Sequence, residues 1–281
     1  MVSSKAVLVL AGSVCLLAPV LHAQQTQPEW VPHYEECRAA ALHKDHLMIL
    51  SLETEWCSWC FVMEREVFSD PEIVRRYGSS YVWVHLDAEA TPEGIAAQRK
   101  FKAESYPFIA VVDPVDEMFV SFRGYRDVGA FARAIDDAAS TLHSLAELRS
   151  QVRNGKADVH ETLKLAGEYQ ERGLYAAGAE TLETLRHDRS LPNGDQILFS
   201  LAICRASAGQ NAKALRDLTE FRQQFSQSVL QSDAEALRWE IELRSDQRRL
   251  ATKELVAWLG RNPNHHLAGH VRGLLAQIRE H

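Results

Sequence analysis

Two cysteines, Cys57 and Cys60, stand three positions apart in the segment ETEWCSWCFVMERE. Each follows a tryptophan, and a run with helical character comes after them. Thiols at this spacing can cycle between dithiol and disulfide, can supply half of a tetrahedral zinc site, or can form a purely structural disulfide. The sequence around the two cysteines indicates which of these three chemistries applies.

The position of the pair in the chain favours redox exchange. Cys57 follows a strand-like run, HLMILSL (46–52), at the point where a helix begins. Unpaired N–H groups and the dipole at a helix start stabilise a thiolate, which is the attacking species in disulfide exchange. We therefore expect Cys57 to be the exposed, attacking thiol. Cys60, one turn later and more buried, is placed to resolve the mixed disulfide.

The other two chemistries have weaker support. A zinc site needs two further ligands, no second CxxC exists, and the pair His265–His266 is far away in the sequence, so no metal is expected. A structural disulfide is less favoured because exposure at a helix start promotes reactivity. Cys37 and Cys204 are predicted to be buried structural thiols, and the sequence leaves open whether they pair.

The elements that must position the cysteines form an α/β pattern before residue 142. Amphipathic segments alternate with four strand-like runs, at 46–52, 80–87, 108–113 and 118–124. The intervening helices supply the crossovers that parallel pairing needs. The last two strands are joined by PVDE, which is short enough for a hairpin.

From residue 143 onward the pattern is helical and repeats about every 36 residues. LAGEYQERGLYAAGAETLETL begins at Leu165 and LAICRASAGQNAKALRDLTEF at Leu201, which aligns Gly173 with Gly209. A weaker third copy starts near Leu237. The segment resembles tetratricopeptide repeats, and a generic antiparallel helical bundle is the alternative. Helical repeats of this kind leave a concave surface, so a protein or peptide partner is expected there.

The α/β half resembles the thioredoxin superfamily in two motifs, ETEWCSWC and SYPFIAVVD. The run after the cysteines resembles a secreted branch that has a WC-x-WC motif. The resemblance implies a dithiol of Cys57 and Cys60, a cis-proline at Pro107, and a substrate surface formed by Trp56, Tyr106 and Pro107.

The chain departs from the thioredoxin pattern at three places. Ser51 stands six residues before Cys57, where thioredoxins usually carry a buried aspartate that accepts a proton. The proline between the cysteines is absent, and Phe61 replaces the usual lysine after the second cysteine. Glu53 and Glu55 are the nearest acids, and neither clearly replaces the aspartate. These departures concern the redox potential and the proton route rather than the dithiol itself.

The N-terminus predicts a secretory signal peptide. Lys5 precedes the apolar run AVLVLAGSVCLLAPVL, and small polar residues follow it. The run is short for a spanning helix and contains Pro19, so no stable membrane span is expected, and a retained membrane anchor is the alternative. Cleavage after Ala23 would leave a thioredoxin-like domain at 24–142 and a helical-repeat domain at 143–281, in the periplasm or secreted.

Composition argues against some partners, and the cysteine motif with its thioredoxin resemblance predicts the function. A net charge of −7 argues against nucleic acid and anionic membranes. The predicted function is a periplasmic or secreted thiol–disulfide oxidoreductase without a cofactor, acting on protein thiols and disulfides. The alternative is a non-catalytic thioredoxin-like scaffold within a protein assembly. Whether the protein reduces or oxidises its partners depends on its reduction potential, which varies over about 150 mV among such proteins.

Overall fold

The computed structural model describes residues 27–186, 191, 193–245 and 248–279. The predicted signal peptide lies outside them. Within the described ranges, no helix is both long enough and apolar enough to cross a membrane.

A five-stranded mixed sheet forms the centre of the first domain, in the order β1-β3-β2-β4-β5. β1, β3 and β2 run parallel, whereas β4 is antiparallel to both β2 and β5. β4 is buried along its whole length, as is typical of a strand covered on both faces. The strands are β1 Trp30–Val31, β2 Leu47–Glu53, β3 Tyr81–Asp87, β4 Phe108–Val112 and β5 Phe119–Arg123. The four predicted strands are confirmed, and β1 was not predicted because two residues carry no periodicity.

Helices cover both faces of the sheet, and each face has its own apolar layer. α2, α3 and α5 cover the face that carries Ile49 and Trp83, together with Met63 and Phe68, which are packing residues as predicted. α1 and α4 cover the opposite face, around Leu50. The helices are α1 Tyr34–Lys44, α2 Ser58–Met63, α3 Pro71–Tyr77, α4 Pro92–Phe101 and α5 Val128–Arg153, with a π-helical turn Glu64–Phe68 between α2 and α3.

The second domain is all-α, and each of its helices packs on the next. Gly173 and Gly209 occupy equivalent turns with φ of 78° and 74°, a left-handed conformation that glycine adopts without steric cost. This equivalence agrees with the predicted repeat. The helices are α6 Val159–Glu171, α7 Tyr175–Glu183, α8 Gly194–Ser207, α9 Asn211–Gln224, α10 Gln231–Leu243, α11 Arg248–Arg261 and α12 Ala268–Arg279.

The two domains share α5 and a network of polar contacts. The predicted boundary between residues 142 and 143 falls inside this helix. Near its end, Arg149 forms ion pairs with Asp113 (2.9 Å) and Asp116, both in the segment that follows β4. Tyr169 of α6 donates its hydroxyl hydrogen to Asp116, and Arg172 donates to the carbonyl of Phe119 at 2.6 Å. The first helical pair therefore packs against the β4–β5 connection.

Candidate functional site

Cys57 is the N-cap residue of α2, as its predicted helix-start position requires. Its Sγ accepts a hydrogen bond from the backbone N–H of Cys60 at 3.1 Å. Its own N–H donates to the carbonyl of Thr54, which continues the turn from β2 into the helix. The two cysteines form a disulfide with their Cα atoms 5.3 Å apart.

The exposure expected for Cys57 is wrong for this oxidised form. Cys57 is 4% exposed and Cys60 is 3% exposed, so burial does not distinguish the two residues. In a disulfide each sulfur covers part of the other, which lowers the exposure of both residues.

Large aromatic side chains surround the buried disulfide. Trp56 is 68% exposed, Trp59 57% and Phe61 54%. The Trp56 ring meets the Tyr106 ring edge to face at 6.1 Å, and the Trp59 ring lies 5.4 Å from the Tyr125 ring. Exposed apolar surface of this kind is typical of interaction sites. Trp59 was expected either on the rim or packed on the fold, and it is exposed while contacting Tyr125.

Hydrogen bonds hold both aromatic pairs in place. The indole N–H of Trp56 donates to Oε2 of Glu89 at 2.9 Å, just beyond β3. The hydroxyl of Tyr125 donates to Oε2 of Glu66 at 3.1 Å, in the π-helical turn. Glu66, Glu89 and Tyr125 were not among the predicted site residues, because these contacts join segments that are far apart in sequence.

The predicted substrate-surface residues lie together. The Tyr106–Pro107 peptide bond is cis, as predicted, and it directly precedes β4. Because Leu52 of β2 pairs with Phe108 of β4, Pro107 lies beside the strand that leads to Cys57. The Tyr106 hydroxyl accepts a hydrogen bond from Gln98 at 2.9 Å. Burial raises the pKa of this hydroxyl, and the charges of Glu89 and Asp87 raise it further.

A second polar pair lies on the face of the sheet that α2 covers. Ser51 is buried there, and its partner across the parallel pairing with β3 is His85. The Nε2 atom of His85 lies 2.6 Å from Oε1 of Glu53, and both side chains are about a quarter exposed. Glu53 thus faces a histidine, whereas Glu55 is exposed. Strand register, rather than any local motif, brings His85 to this position.

The remaining thiols are isolated from the pair. Cys37 and Cys204 are free and buried, as predicted for structural thiols. Burial raises the pKa of Cys37 to about 12 and that of Cys204 to about 11. Asp87 accepts hydrogen bonds from the N–H groups of Glu89 and Ala90, in the turn role predicted for it. Among the residues that the structure describes, no three His, Cys, Asp or Glu side chains are grouped to hold a metal ion.

The fold and site together define the first domain as thioredoxin-like. It has a CxxC disulfide at the start of the helix after the central strand, beside a cis-proline that precedes the neighbouring strand. Residues 16–119, a little over a third of the chain, match the family model described as "Thioredox_DsbH: Protein of unknown function, DUF255". The comparison with curated proteins gave no match.

Solved structures also match part of this chain. A thioredoxin from Thermus thermophilus is 22% identical, over 40% of this chain and 86% of that one, with a TM-score of 0.35. A structure titled "DsbH Oxidoreductase" is 15% identical, over 45% and 93%, with a TM-score of 0.37. The C-terminal domain of DsbD from Neisseria meningitidis, in its oxidised form, is 20% identical, over 37% and 90%, with a TM-score of 0.34.

Proposed function

We propose that this protein is a thiol–disulfide oxidoreductase that exchanges with protein partners through Cys57 and Cys60. The observation that carries the proposal is the Cys57–Cys60 disulfide at a helix start, surrounded by exposed aromatic side chains. The family model and the thioredoxin-like fold support it. No cofactor is required, because the two electrons move with the sulfur atoms.

The reduced protein would react in two displacements. The Cys57 thiolate attacks one sulfur of a partner disulfide, and the other partner sulfur leaves as a thiolate that takes up a proton. Cys60 then loses its proton and attacks Cys57, which releases the second partner thiol and forms the intramolecular disulfide. The N–H of Cys60, which donates to the Cys57 sulfur, is placed to stabilise the attacking thiolate. The reverse sequence would oxidise a partner dithiol.

Trapping of the intermediate tests these roles. In a Cys60→Ser variant, the full-length protein should accumulate a mixed disulfide through Cys57 when it is mixed with insulin. The double variant with Cys57→Ser should form none, and Cys37→Ser is the matched control that should leave turnover unchanged. If the reduced wild type fails to reduce insulin disulfides, the oxidoreductase proposal is wrong and the scaffold alternative gains support.

We place the mature protein in the periplasm or outside the cell, on the basis of the predicted signal peptide. Partner exchange through disulfides also suits an oxidising compartment. N-terminal sequencing of the exported protein should show a start at Gln24. A start at Met1 in a fractionated cell would contradict this localisation.

We also propose that residues 143–281 form a partner-binding domain. A groove of about 560 Å³ lies where α7 faces the β4–β5 connection and the end of α5.

Because α5 and Arg149 take part in the packing of both domains, this proposal should be tested with the full chain. Ala176 is exposed in this groove and Ala276 is exposed on α12. Ala176→Arg should abolish capture of a native partner that the Ala276→Arg control retains; equal capture by both variants would contradict the proposal.

A further inference from the structure

We propose that the dithiol selects partner segments that carry a lysine or arginine beside the exchanging cysteine. The cationic side chain would dock on Trp56 and Tyr106. This inference rests on the proposed exchange function and adds a partner chemistry to it. It comes from the unequal surroundings of the two aromatic pairs that flank the disulfide.

The first step is the shape of the Trp56 side of the site. Trp56 directly precedes Cys57, and its ring meets that of Tyr106 at 6.1 Å with an interplanar angle of 74°. Its indole N–H is bonded to Glu89, and the Tyr106 hydroxyl is bonded to Gln98. Two anchored rings thus form an open corner beside the disulfide. Such a corner can receive a side chain at little entropic cost to the protein.

The second step is the charge of this corner. Glu89 is exposed, and no ion pair with a basic side chain is found for it within the described ranges. Glu89 and Asp87 both act electrostatically on the Tyr106 hydroxyl. The Tyr106 ring therefore lies beside two carboxylates that no described ion pair neutralises.

The opposite aromatic pair also has carboxylates beside it, since Glu66 and Asp127 both act electrostatically on the Tyr125 hydroxyl. It differs in that one of these carboxylates is already paired with a basic side chain. Glu66, which holds Tyr125 beside Trp59, also forms an ion pair with Arg65 at 2.8 Å. Arg126 lies just before α5, and its guanidinium is 4.8 Å from the centre of the Phe122 ring. A basic partner side chain would have to compete with Arg65 for Glu66, whereas Glu89 has no ion pair within the described ranges. This difference in pairing favours the Trp56 side for a cation.

The third step is the choice of occupant. Aromatic faces attract ammonium and guanidinium groups, most strongly when the ring is tryptophan. A carboxylate partner would be repelled by Glu89 and Asp87, and an apolar side chain would gain nothing from them. An extended segment rises about 3.3 Å per residue. A cysteine that reaches Cys57 therefore places its immediate neighbours within reach of the adjacent Trp56.

Three symmetrical peptide disulfides test the inference. Each is the disulfide-linked dimer of a short single-cysteine peptide, and they differ only in having lysine, norleucine or glutamate on both sides of the cysteine. The reduced full-length protein converts each dimer to two peptide thiols while Cys57 and Cys60 become a disulfide. From a cation–π contact plus a screened ion pair, we expect the lysine dimer to react about tenfold faster than the glutamate dimer.

The ratio of the lysine-dimer rate to the glutamate-dimer rate, measured in two charge variants, tests whether the corner formed by Trp56 and Tyr106 causes the selection. In Glu89→Gln the lysine-to-glutamate ratio should fall to about twofold, whereas Glu36→Gln on α1, which covers the opposite face of the sheet, should leave it unchanged. The ratio is taken within one variant, so any general loss of activity cancels. A wild-type ratio near one, or a ratio that Glu89→Gln does not change, overturns the selection of cations. If none of the three dimers reacts, the exchange function itself fails.

Discussion

Replacing Arg149 with methionine should destabilise the whole protein, because this residue joins the two domains. Its side chain is 12% exposed, and its guanidinium pairs with Asp113 and Asp116, whose side chains are 8% and 9% exposed. Methionine keeps much of the side-chain volume but leaves two buried carboxylates without their cation. Removing one partner of a buried pair typically costs 3–5 kcal/mol, so the partial exposure of Arg149 suggests about 3 kcal/mol.

Urea unfolding followed by circular dichroism measures this loss. With a typical urea dependence of about 1–3 kcal/mol per molar, the midpoint should fall by about 1–3 M. Arg153→Met, one turn later and exposed on α5, is the matched control and should change stability by no more than about 0.5 kcal/mol.

A compensated variant separates lost packing from uncompensated charge. Adding Asp113→Asn and Asp116→Asn to Arg149→Met removes the unpaired carboxylates and should recover at least half of the loss. If Arg149→Met is no worse than Arg153→Met, or if the triple variant is no more stable than the single one, the network does not join the domains as described.

Three further predictions follow from the packing. Tyr169→Phe, which deletes the hydroxyl that donates to Asp116, should lower the free energy of unfolding by about 1 kcal/mol in the same urea experiment. Leu201→Ala, in the core of the second domain where Leu201 is fully buried, should cost about 2–5 kcal/mol, and a loss below 1 kcal/mol would contradict that packing. Cys37 and Cys204 should resist iodoacetamide at pH 9 in the native protein and react in urea, as mass spectrometry can show. Because folding raises both pKa values, the stability that they contribute should be present below about pH 9 and lost as the pH rises towards 11 and 12.

The sequence predicts the elements of this protein better than the contacts between them. The apolar runs give β2 to β5, and the change from strand to helix periodicity locates Cys57 at its N-cap. These features depend on local pattern. Neither the contact of Trp56 with Glu89 nor that of Glu53 with His85 could be predicted, because both follow from how neighbouring segments align across the sheet.

Two other differences between prediction and structure arise from tertiary packing. Cys57 is about as buried as Cys60, and the burial of a residue at a helix start depends on contacts that the local pattern does not encode. The predicted boundary at residue 142 follows the change from α/β to helical periodicity, yet α5 continues through that position because it completes the core of one domain and begins the packing of the next.

Because α5 runs without interruption from the first domain into the second, the number of residues in it determines how its two ends are placed relative to each other. Phe131 packs on the sheet near the start of the helix, and Arg149 reaches Asp113 about five turns later, so both side chains point to the same side. One inserted residue would rotate everything beyond it by about 100° and advance it by about 1.5 Å, which would turn Arg149 away from its carboxylates. The helix therefore fixes both the distance and the rotation between these two anchors, so the number of residues between them constrains how the two domains pack.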